Sequence, residues 1–392
     1  MENFDAIVVG AGITGAAIAY ELQNQGQRVL LLEKYRQPSN ATALSYGGII
    51  YWAGATPLQR QLCHESRYRW THLSQELGGE TEYRELELLL YLRPEDDAQA
   101  LAKQFDHCLI RPQWVDRLTA IAIEPQLNPD GIGGGFVVPQ GHCHGGKTVN
   151  AYLQAFLRLG GIVRIAEVEG LITKQNRVQG VYTGAGNFFA HKVILAGGGQ
   201  TRALLPGSGI NLPLYFTHAA VLQTVPTQEN LRCVIMPADL QQRPNLEALA
   251  PTLNWHRPDD HCVATVMEPG AVQFFDGRLF IGQISQLVTS PHYRPDLAWA
   301  QQELQTAIAK ILPRLALLPV TAHHCLVAFS GQTLPLVGEV PNLPGLVLFS
   351  GFTHPLVYVP PLAQKLAHHL TVGRELVIDH LAPLLNPPQT EK

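Results

Sequence analysis

The sequence contains little charge and no long hydrophobic run. Only 15% of its 392 residues are charged, the net charge is −4, and the basic residues form no stripe. These features give no reason to expect nucleic acid or another polyanion as a partner. Since no apolar run approaches the ~20 residues that a membrane-spanning helix needs, we expect no transmembrane segment. The first strand is predicted to start near Asp5, which leaves no room for a signal peptide.

Cysteine is also scarce, and its six positions are scattered without a Cys-x-x-Cys pair. This pattern favours reduced thiols in a cytoplasmic protein over a disulfide framework. Two triplets, 142–144 (His-Cys-His) and 323–325 (His-His-Cys), have the composition of metal ligands. Adjacent residues of a strand point to opposite faces, so neither triplet can close a tetrahedral site alone, and we expect no metal.

The most informative stretch is a glycine-rich βαβ pattern in residues 5–34. An apolar run at 6–9 predicts a buried strand, Gly10, Gly12 and Gly15 follow in G-x-G-x-x-G spacing, and residues 13–22 have helical periodicity. A second apolar run, 28–32, ends at Glu33. The glycines would allow a tight turn, the approach of a pyrophosphate and close packing of helix on strand. Because Glu33 can accept hydrogen bonds from a ribose, the complete pattern predicts a dinucleotide-binding unit.

The order of patterns predicts an α/β protein (α+β overall) in which a Rossmann-like domain is interleaved with a β-rich substrate domain. We assign 1–80, 140–212 and 325–376 to the first, 81–139 and 213–324 to the second, and 377–392 to a tail, disordered from Pro383. Near the end of the chain, the pattern predicts a helix from Leu362 to Leu370. No second G-x-G-x-x-G opens a helix with an acid downstream, so a separate nicotinamide domain is not expected.

Five motifs in this order resemble the D-amino-acid oxidase superfamily of FAD enzymes, in particular its glycine oxidase and sarcosine oxidase branch. They are GAGITG with Glu33-Lys34, NATALSYGGI, VILAGGGQTRALL, FFDGRLFIG and TLPLVGEVPNLPGLVLFSGF. The resemblance covers nearly the whole chain. It implies an extended FAD, with its ADP on the N-terminal βαβ unit and its flavin between the domains. It also implies oxidation of a C–N bond by hydride transfer to the flavin.

The resemblance further implies a set of cofactor-binding residues. Those expected at the pyrophosphate are Gly10, Gly12, Ile13, Thr14 and Gly15. Those expected around the adenosine are Glu33, Lys34 and Val168. Those expected along the ribityl chain and flavin are Thr42, Ser45, Gly47 and Gly48. A second glycine turn contains Gly197 and Gly198, and the C-terminal loop facing the flavin contains Gly351, Phe352, Thr353 and His354.

Several positions depart from the pattern of the resembled family. Val327 stands where an arginine binds the substrate carboxylate, and valine cannot replace a bidentate guanidinium. Phe280 stands where sarcosine oxidase has a lysine that assists the reaction with oxygen. His218-Ala219 replaces a frequent Arg-Gly pair, and Pro355 removes one N–H from the C-terminal loop. These departures argue against an ordinary α-amino-acid substrate and against fast use of oxygen.

Three side chains near the expected flavin are candidates for chemistry. Cys325 matches the cysteine that tethers flavin covalently in sarcosine oxidase; the alternative is a small buried apolar residue. His354 and Tyr358 are the candidate catalytic residues, because the C-terminal loop would place them beside the flavin. Histidine can accept a proton near neutral pH, and a tyrosine hydroxyl can orient a substrate. The alternative is that both side chains only pack the domain junction.

Together these features predict an FAD-dependent oxidoreductase that oxidises a C–N bond of a small amine or amino-acid-like substrate. Its partners would be that substrate and an electron acceptor, oxygen or another. One alternative is a flavin dehydrogenase that uses an acceptor other than oxygen. The other is an FAD-binding scaffold or regulatory protein that has lost amine oxidation. A nicotinamide-linked dehydrogenase is disfavoured, because the second domain that it would need has no signal in the sequence.

Overall fold

The computed structural model describes residues 3–36, 40–205, 212–332 and 334–382. The strands in these ranges are β1 (Asn3–Val9), β2 (Val29–Glu33), β3 (Gly48–Ile49), β4 (Arg84–Leu92), β5 (Gln113–Asp116), β6 (Gly134–His142), β7 (Ile162–Ile165), β8 (Val168–Lys174), β9 (Arg177–Thr183), β10 (Gly186–Leu195), β11 (Leu214–Thr224), β12 (Val234–Pro237), β13 (Ala264–Gln273), β14 (Leu279–Leu287), β15 (Val320–Ser330), β16 (Leu336–Glu339) and β17 (Leu346–Ser350). The α-helices are α1 (Ile13–Asn24), α2 (Pro57–Leu77), α3 (Ala98–Ala102), α4 (Arg117–Ile123), α5 (Gly145–Arg158), α6 (Gln242–Glu247), α7 (Leu297–Ile311), α8 (Pro313–Ala316), α9 (Pro355–Thr371) and α10 (Leu376–Leu381). Short 3-10 helices span Tyr51–Ala53, Lys103–Phe105, Gly198–Leu204 and Ala250–Thr252. Within the described ranges, every helix is too short or too polar to cross a membrane.

The first sheet is a mainly parallel sheet in the order β16-β17-β10-β1-β2-β7, with β9 pairing β10 and β8 pairing β9. β1 runs parallel to both β2 and β10. Its residues 6–9 and residues 29–32 of β2 are apolar without alternation, as expected for strands that are covered on both faces. Helix α1 packs against α5 and α9, and its small residues Ala16, Ala17 and Ala19 permit this close contact.

The second sheet has the order β15-β11-β14-β13-β12-β4-β6-β3 and is mainly antiparallel. Its two faces contact different helices. Val221 of β11 belongs to the apolar cluster that contains α1 and α9, whereas its neighbours Ala220 and Leu222 belong to the cluster that contains α7. The predicted mixed α/β fold class, with one Rossmann-like sheet and one β-rich sheet, is confirmed.

The chain passes several times between the two sheets. Strands β3 to β6 lie in the second sheet, β7 to β10 in the first, β11 to β15 in the second, and β16 and β17 in the first. The boundary that we expected at residue 325 falls inside β15, which pairs with β11 along its whole length. The exact division into two domains stays a prediction.

The last long helix begins at Pro355, and the prediction that it begins at Leu362 was wrong. Pro355 occupies the first turn, where its missing N–H is not needed. Pro360 cannot donate to the carbonyl oxygen of Leu356. That oxygen instead accepts a hydrogen bond of 2.7 Å from the indole N–H of Trp70 in α2. The helix therefore continues through its prolines because another helix satisfies the carbonyl that proline leaves unpaired.

Two smaller differences concern glycines and the C-terminus. The glycine run at 133–135 predicts turns, but Gly134 and Gly135 pair with β4 and β5 as the start of β6. Helix α10 covers 376–381, at the start of the expected tail. The expected disorder from Pro383 concerns residues outside those that the structure describes.

Candidate cofactor and active site

The carboxyl ends of parallel strands form one edge of the first sheet. Gly10 follows β1, Glu33 ends β2, Gly197 comes shortly after β10, and Gly351 follows β17. β10 and β2 flank β1 on opposite sides, so the strand order reverses at β1. Ligands of open α/β sheets bind at the carboxyl edge beside such a point. The fold therefore brings these four predicted cofactor positions to one edge.

The glycine turn leaves an open space beside the start of α1. Gly10 has a φ of +99°, which favours glycine. A Cβ on Gly15 would lie 1.7 Å from the carbonyl oxygen of Gly10, so helix and strand pack too closely for any side chain. A Cβ on Gly12 would meet only Thr42 Oγ1 at 3.5 Å and Asn40 Nδ2 at 3.9 Å. The space in front of Gly12 is therefore large enough for a ligand to approach the backbone.

The first turn of α1 has the properties of an anion site. Its N-cap is Gly12, which offers no side-chain cap, and the first turn contains no acidic residue. Ile13 donates its N–H to Thr42 Oγ1 at 3.2 Å, and Thr14 donates its hydroxyl to the carbonyl of Ala196 at 3.2 Å. Backbone N–H groups without intrahelical partners and the positive end of the helix dipole meet at this turn. Both favour an anionic pyrophosphate.

Glu33 lies beside the glycine turn. Its Oε2 accepts a hydrogen bond of 2.8 Å from the N–H of Ala11, and its carbonyl accepts one of 2.8 Å from Ala166. The second contact brings the start of β8, with the buried Val168, next to the end of β2. Lys34 is the next residue and is half-buried. The three positions expected around the adenosine are thus neighbours in the structure.

The second glycine turn lies against the first. A Cβ on Gly10 would be 3.0 Å from the Cα of Gly197, which shows how closely the two turns approach. Gly198 has a φ of +55° and opens the 3-10 helix after β10. Thr201 of this helix lies 3.2 Å, hydroxyl to hydroxyl, from Ser350 at the end of β17. The turn therefore connects the ends of three strands.

The loop before β3 connects the cofactor edge to the second sheet. Ser45 Oγ accepts the N–H of Gly47 at 3.1 Å. Gly47 has a φ of +73°, and a Cβ there would lie 1.9 Å from the carbonyl of Cys143. Tyr46 donates its hydroxyl to the carbonyl of Gly282 in β14 at 2.6 Å. This loop, which also contains Thr42 and leads into Gly48 of β3, is thus held where the two sheets meet.

The C-terminal loop places His354 at the same junction. Gly351 has a φ of +76°, and its carbonyl accepts the N–H of Ser330 in β15 at 3.1 Å. Phe352 is buried against Phe349. Thr353 is half-buried, and the side chain of His354 is accessible to solvent although many protein atoms surround it.

The electrostatics of this loop follow from its burial. Burial, with a smaller contribution from the positive charge of Arg243, lowers the pKa of the His354 imidazole to about 4. His354 is therefore neutral near pH 7. The ring of Tyr358 lies one helical turn further on, 6.3 Å from that of His354 between centroids. Burial raises the pKa of the Tyr358 hydroxyl well above its ordinary value.

One face of the second sheet contains polar groups near this junction. Ala219 of β11 pairs with Ser285 on one side and with Cys325 on the other, so these side chains share a face. Thr217, two residues earlier, is on the same face, opposite Val327. We call these five residues the flavin-end face. The hydroxyls of Thr217 and Ser285 are buried and have no hydrogen-bond partner among the described residues.

Cys325 is buried on this face, and burial raises the pKa of its thiol to about 12. Because the thiolate is the reactive form of cysteine, such a pKa makes covalent chemistry at neutral pH slow. The observation favours the reading of Cys325 as a small buried residue. Covalent attachment of the flavin stays a prediction.

Two of the residues that depart from the family pattern make defined contacts in the structure. Phe280 is buried and contacts Phe274 edge to face, with centroids 5.0 Å apart. His218 lies on the opposite face of β11 from Thr217 and Ala219, and its Nε2 is 2.9 Å from the carbonyl of Ser290. His218 therefore does not belong to the flavin-end face.

Sequence reasoning missed several polar residues near this junction. Arg243 and Glu247 of α6 form an ion pair of 2.9 Å, and Gln283 donates to Glu268 at 3.0 Å. The spacing of Arg243 and Glu247 is a signal for an (i, i+4) pair, but it does not indicate a location. Tyr46 could have been found, because it stands between two predicted residues of the NATALSYGGI motif.

The described residues contain no group of three histidine, cysteine, aspartate or glutamate side chains that could hold a metal ion. The dinucleotide site fits a different ligand. Gly12 leaves room for a pyrophosphate, α1 presents its N-terminus, and Glu33 is in place for a ribose. His354 lies in the loop after β17, which begins at the same edge of the sheet. Fold and site together define a dinucleotide-dependent oxidoreductase.

Comparison with known proteins identifies the family. The family model for FAD dependent oxidoreductases, DAO, matches residues 5–369. The chain therefore belongs to the DAO family of FAD-dependent oxidoreductases, and the predictions of the family, of FAD and of an oxidoreductase are confirmed.

Similar proteins include the glycine oxidase of Pseudomonas aeruginosa, which is 29% identical over 95% of this chain and 96% of its own. The crystal structure of glycine oxidase from Geobacillus kaustophilus has a TM-score of 0.78 at 21% identity and covers 96% of both chains. That of L-proline dehydrogenase from P. horikoshii has a TM-score of 0.77 at 19% identity and covers 98% of this chain and 97% of that one. The structural likeness shows a shared fold.

Proposed function

We propose that the protein oxidises the C–N bond of a small amine or amino-acid-like substrate in the cleft beside the flavin-end face. The observation that carries this proposal is the position of His354, which is neutral near pH 7 and accessible to solvent in the loop that follows β17 at the cofactor edge. A few polar groups placed in this way are expected where a small polar ligand binds. The identity of 29% with a glycine oxidase over nearly the whole chain supports the substrate class.

The residues of the adenine end would hold the cofactor through α1, Glu33 and the two glycine turns. Bound FAD would supply the acceptor for a hydride from the carbon next to the amine nitrogen. The protein would orient this carbon and exclude water. His354 is neutral near pH 7, so its ring nitrogen can accept the proton that the amine nitrogen loses. Loss of a hydride and a proton leaves an imine, which water converts to a carbonyl compound and an amine.

Tyr358 would have an orienting role. Because burial raises its pKa, the hydroxyl stays protonated and can donate a hydrogen bond. It follows His354, the residue before α9, by four positions, and the two rings lie 6.3 Å apart between centroids.

An anaerobic reduction screen tests the proposal. Purified protein with FAD is mixed under nitrogen with primary amines, N-methylated amines, imino acids and, as controls, hydroxy acids of similar size. Bleaching of the visible flavin absorption by an amine supports the function. Absence of bleaching by every compound favours a scaffold that has lost amine oxidation.

The electron acceptor is decided by a second step of the same experiment. The fold is shared by an oxidase and a dehydrogenase, so it does not select the acceptor. Phe280, buried where the family resemblance implies a lysine, supports slow reaction with oxygen. We expect reduced protein to regain its absorption slowly in air and quickly with an added quinone. Fast reoxidation in air would identify an oxidase.

We also propose a cytoplasmic location. All six cysteines are free thiols, as is usual in a reducing compartment. Fractionation of cells that express the full chain tests this proposal.

A further inference from the structure

Helix α6 belongs to the long segment between β12 and β13 and covers part of the second sheet. It packs against β13 and β14. Its buried Leu246 shares an apolar cluster with Leu287 and Phe329. Leu287 follows Ser285 by two residues in β14, and Phe329 follows Val327 by two in β15. Because side chains alternate along a strand, Leu287 and Phe329 lie on the same side of the sheet as the flavin-end face, and α6 is joined to them through this cluster.

Arg243 of α6 is a largely buried cation with free donors. Its side chain is only 16% exposed. Its Nε donates to Glu247 Oε1 at 2.9 Å, but its two terminal nitrogens have no hydrogen-bond partner in the part of the chain that the structure describes. A guanidinium has five N–H groups, and burying them without acceptors is unfavourable. The two unpaired terminal nitrogens of Arg243 are therefore suited to bind an acceptor group of a ligand.

The position of Arg243 connects it with the active-site cleft. Its positive charge contributes to lowering the pKa of His354 and also acts to lower the pKa of Cys325. It therefore lies near the C-terminal loop and near β15 at the same time.

We propose that Arg243 is a specificity-determining residue that binds the carboxylate of an amine substrate through its two terminal nitrogens. Glu247 would hold Nε and thereby fix the plane of the guanidinium, as expected for a bidentate pair with a carboxylate. The inference rests on the proposed function, since it assigns the substrate to the class of carboxylate-bearing amines. It also explains how Val327 can stand where the resemblance implies an arginine.

Carboxylate binding to the FAD-loaded protein tests this inference without turnover. The probes are acetate and its uncharged analogue acetamide, titrated with two readouts, the change in the flavin absorption spectrum and calorimetry. Arg243→Gln should weaken acetate binding by about 10- to 100-fold, the range for a hydrogen-bonded charge, and leave acetamide unchanged. Arg243→Lys, which keeps the charge and loses the planar fork, should be intermediate.

The matched control is Arg257→Gln, an exposed arginine of the same segment, which should change neither probe. FAD content and the thermal midpoint show that each variant is folded. Equal acetate affinity in wild type and folded Arg243→Gln, or no acetate binding by the wild type, would overturn the inference.

Failure of this inference can be distinguished from failure of the proposed function. If acetate binding depends on Arg243 but no amine bleaches the flavin, the function fails and the carboxylate site stands. If amines with and without a carboxylate bleach the flavin equally well, and Arg243→Gln changes neither rate, the function stands and the inference fails.

Discussion

Replacing Gly12 with alanine should separate folding from cofactor binding. Gly12 has a φ of −69° and a ψ of −174°, which alanine adopts without strain. The new Cβ would lie 3.5 Å from Thr42 Oγ1, an ordinary contact. The free energy of unfolding of the apoprotein should therefore change by less than about 1 kcal/mol, the typical effect of an N-cap substitution.

The same methyl group would stand between the first turn of α1 and a pyrophosphate. Loss of one hydrogen bond to a charged group costs about 1.5–3 kcal/mol, so the Kd for FAD should rise about 10- to 150-fold. Gly15→Ala is the matched contrast. Its Cβ would lie 1.7 Å from the carbonyl oxygen of Gly10, and α1 would have to move away from β1. We expect that variant to lose about 3 kcal/mol of apoprotein stability or more.

Urea unfolding of the apoproteins, followed by circular dichroism, measures the free energy of unfolding. Quenching of flavin fluorescence on titration with FAD measures the Kd for FAD. We expect a stable Gly12→Ala apoprotein that binds FAD weakly. A Gly12→Ala variant with wild-type affinity for FAD would show that the pyrophosphate does not approach this turn. An apoprotein destabilised as strongly as Gly15→Ala would show that the space in front of Gly12 is not open.

Further predictions concern side chains on both ends of the site. Glu33→Gln should raise the Kd for FAD about tenfold, measured by the same titration, because it removes a charged acceptor. His354→Gln should slow anaerobic flavin reduction about 100-fold or more. Since the pKa of His354 is about 4, the wild-type rate of flavin reduction should fall only as the pH drops towards 4 and His354 becomes protonated. A decline of this rate centred at a pH of about 6.5 would contradict the expectation. Trp70→Phe should destabilise the apoprotein by about 1–3 kcal/mol in urea, because the carbonyl of Leu356 loses its donor. Acid-denatured protein should release all its flavin, since the thiol of Cys325 stays protonated; flavin retained on wild-type protein but not on Cys325→Ser would refute this.

The adenine end of the site was predictable because its rules are local. A strand, a turn, a helix and a strand follow one another within residues 3–33, and Gly10 and Gly15 each have a steric reason to be there. Gly10 needs a positive φ, and Gly15 touches backbone. Such requirements restrict which residues can occur at positions of fixed spacing, so the pattern can be recognised from the sequence alone.

The start of α9 and the position of Tyr46 were not predictable in this way. Two prolines at 360 and 361 indicate a break, and the donor that compensates for Pro360 is Trp70, which is distant in sequence. The hydroxyl of Tyr46 similarly reaches the carbonyl of Gly282 in β14, which is also distant in sequence. In both cases the decisive partner arrives through tertiary packing, which overrides local propensity.

The difference between local rules and tertiary packing also explains where this fold can place a residue that selects the substrate. Arg243 comes from the segment between β12 and β13 and is attached to the sheet through Leu246. Thr217 and Ser285, by contrast, are fixed in strands that the core requires. A substrate anchor on such a connecting segment can be gained, lost or moved without disturbing the strands beneath it. A valine at 327 is then compatible with carboxylate binding, because the reaction needs a guanidinium in the cleft and does not require that β15 supply it.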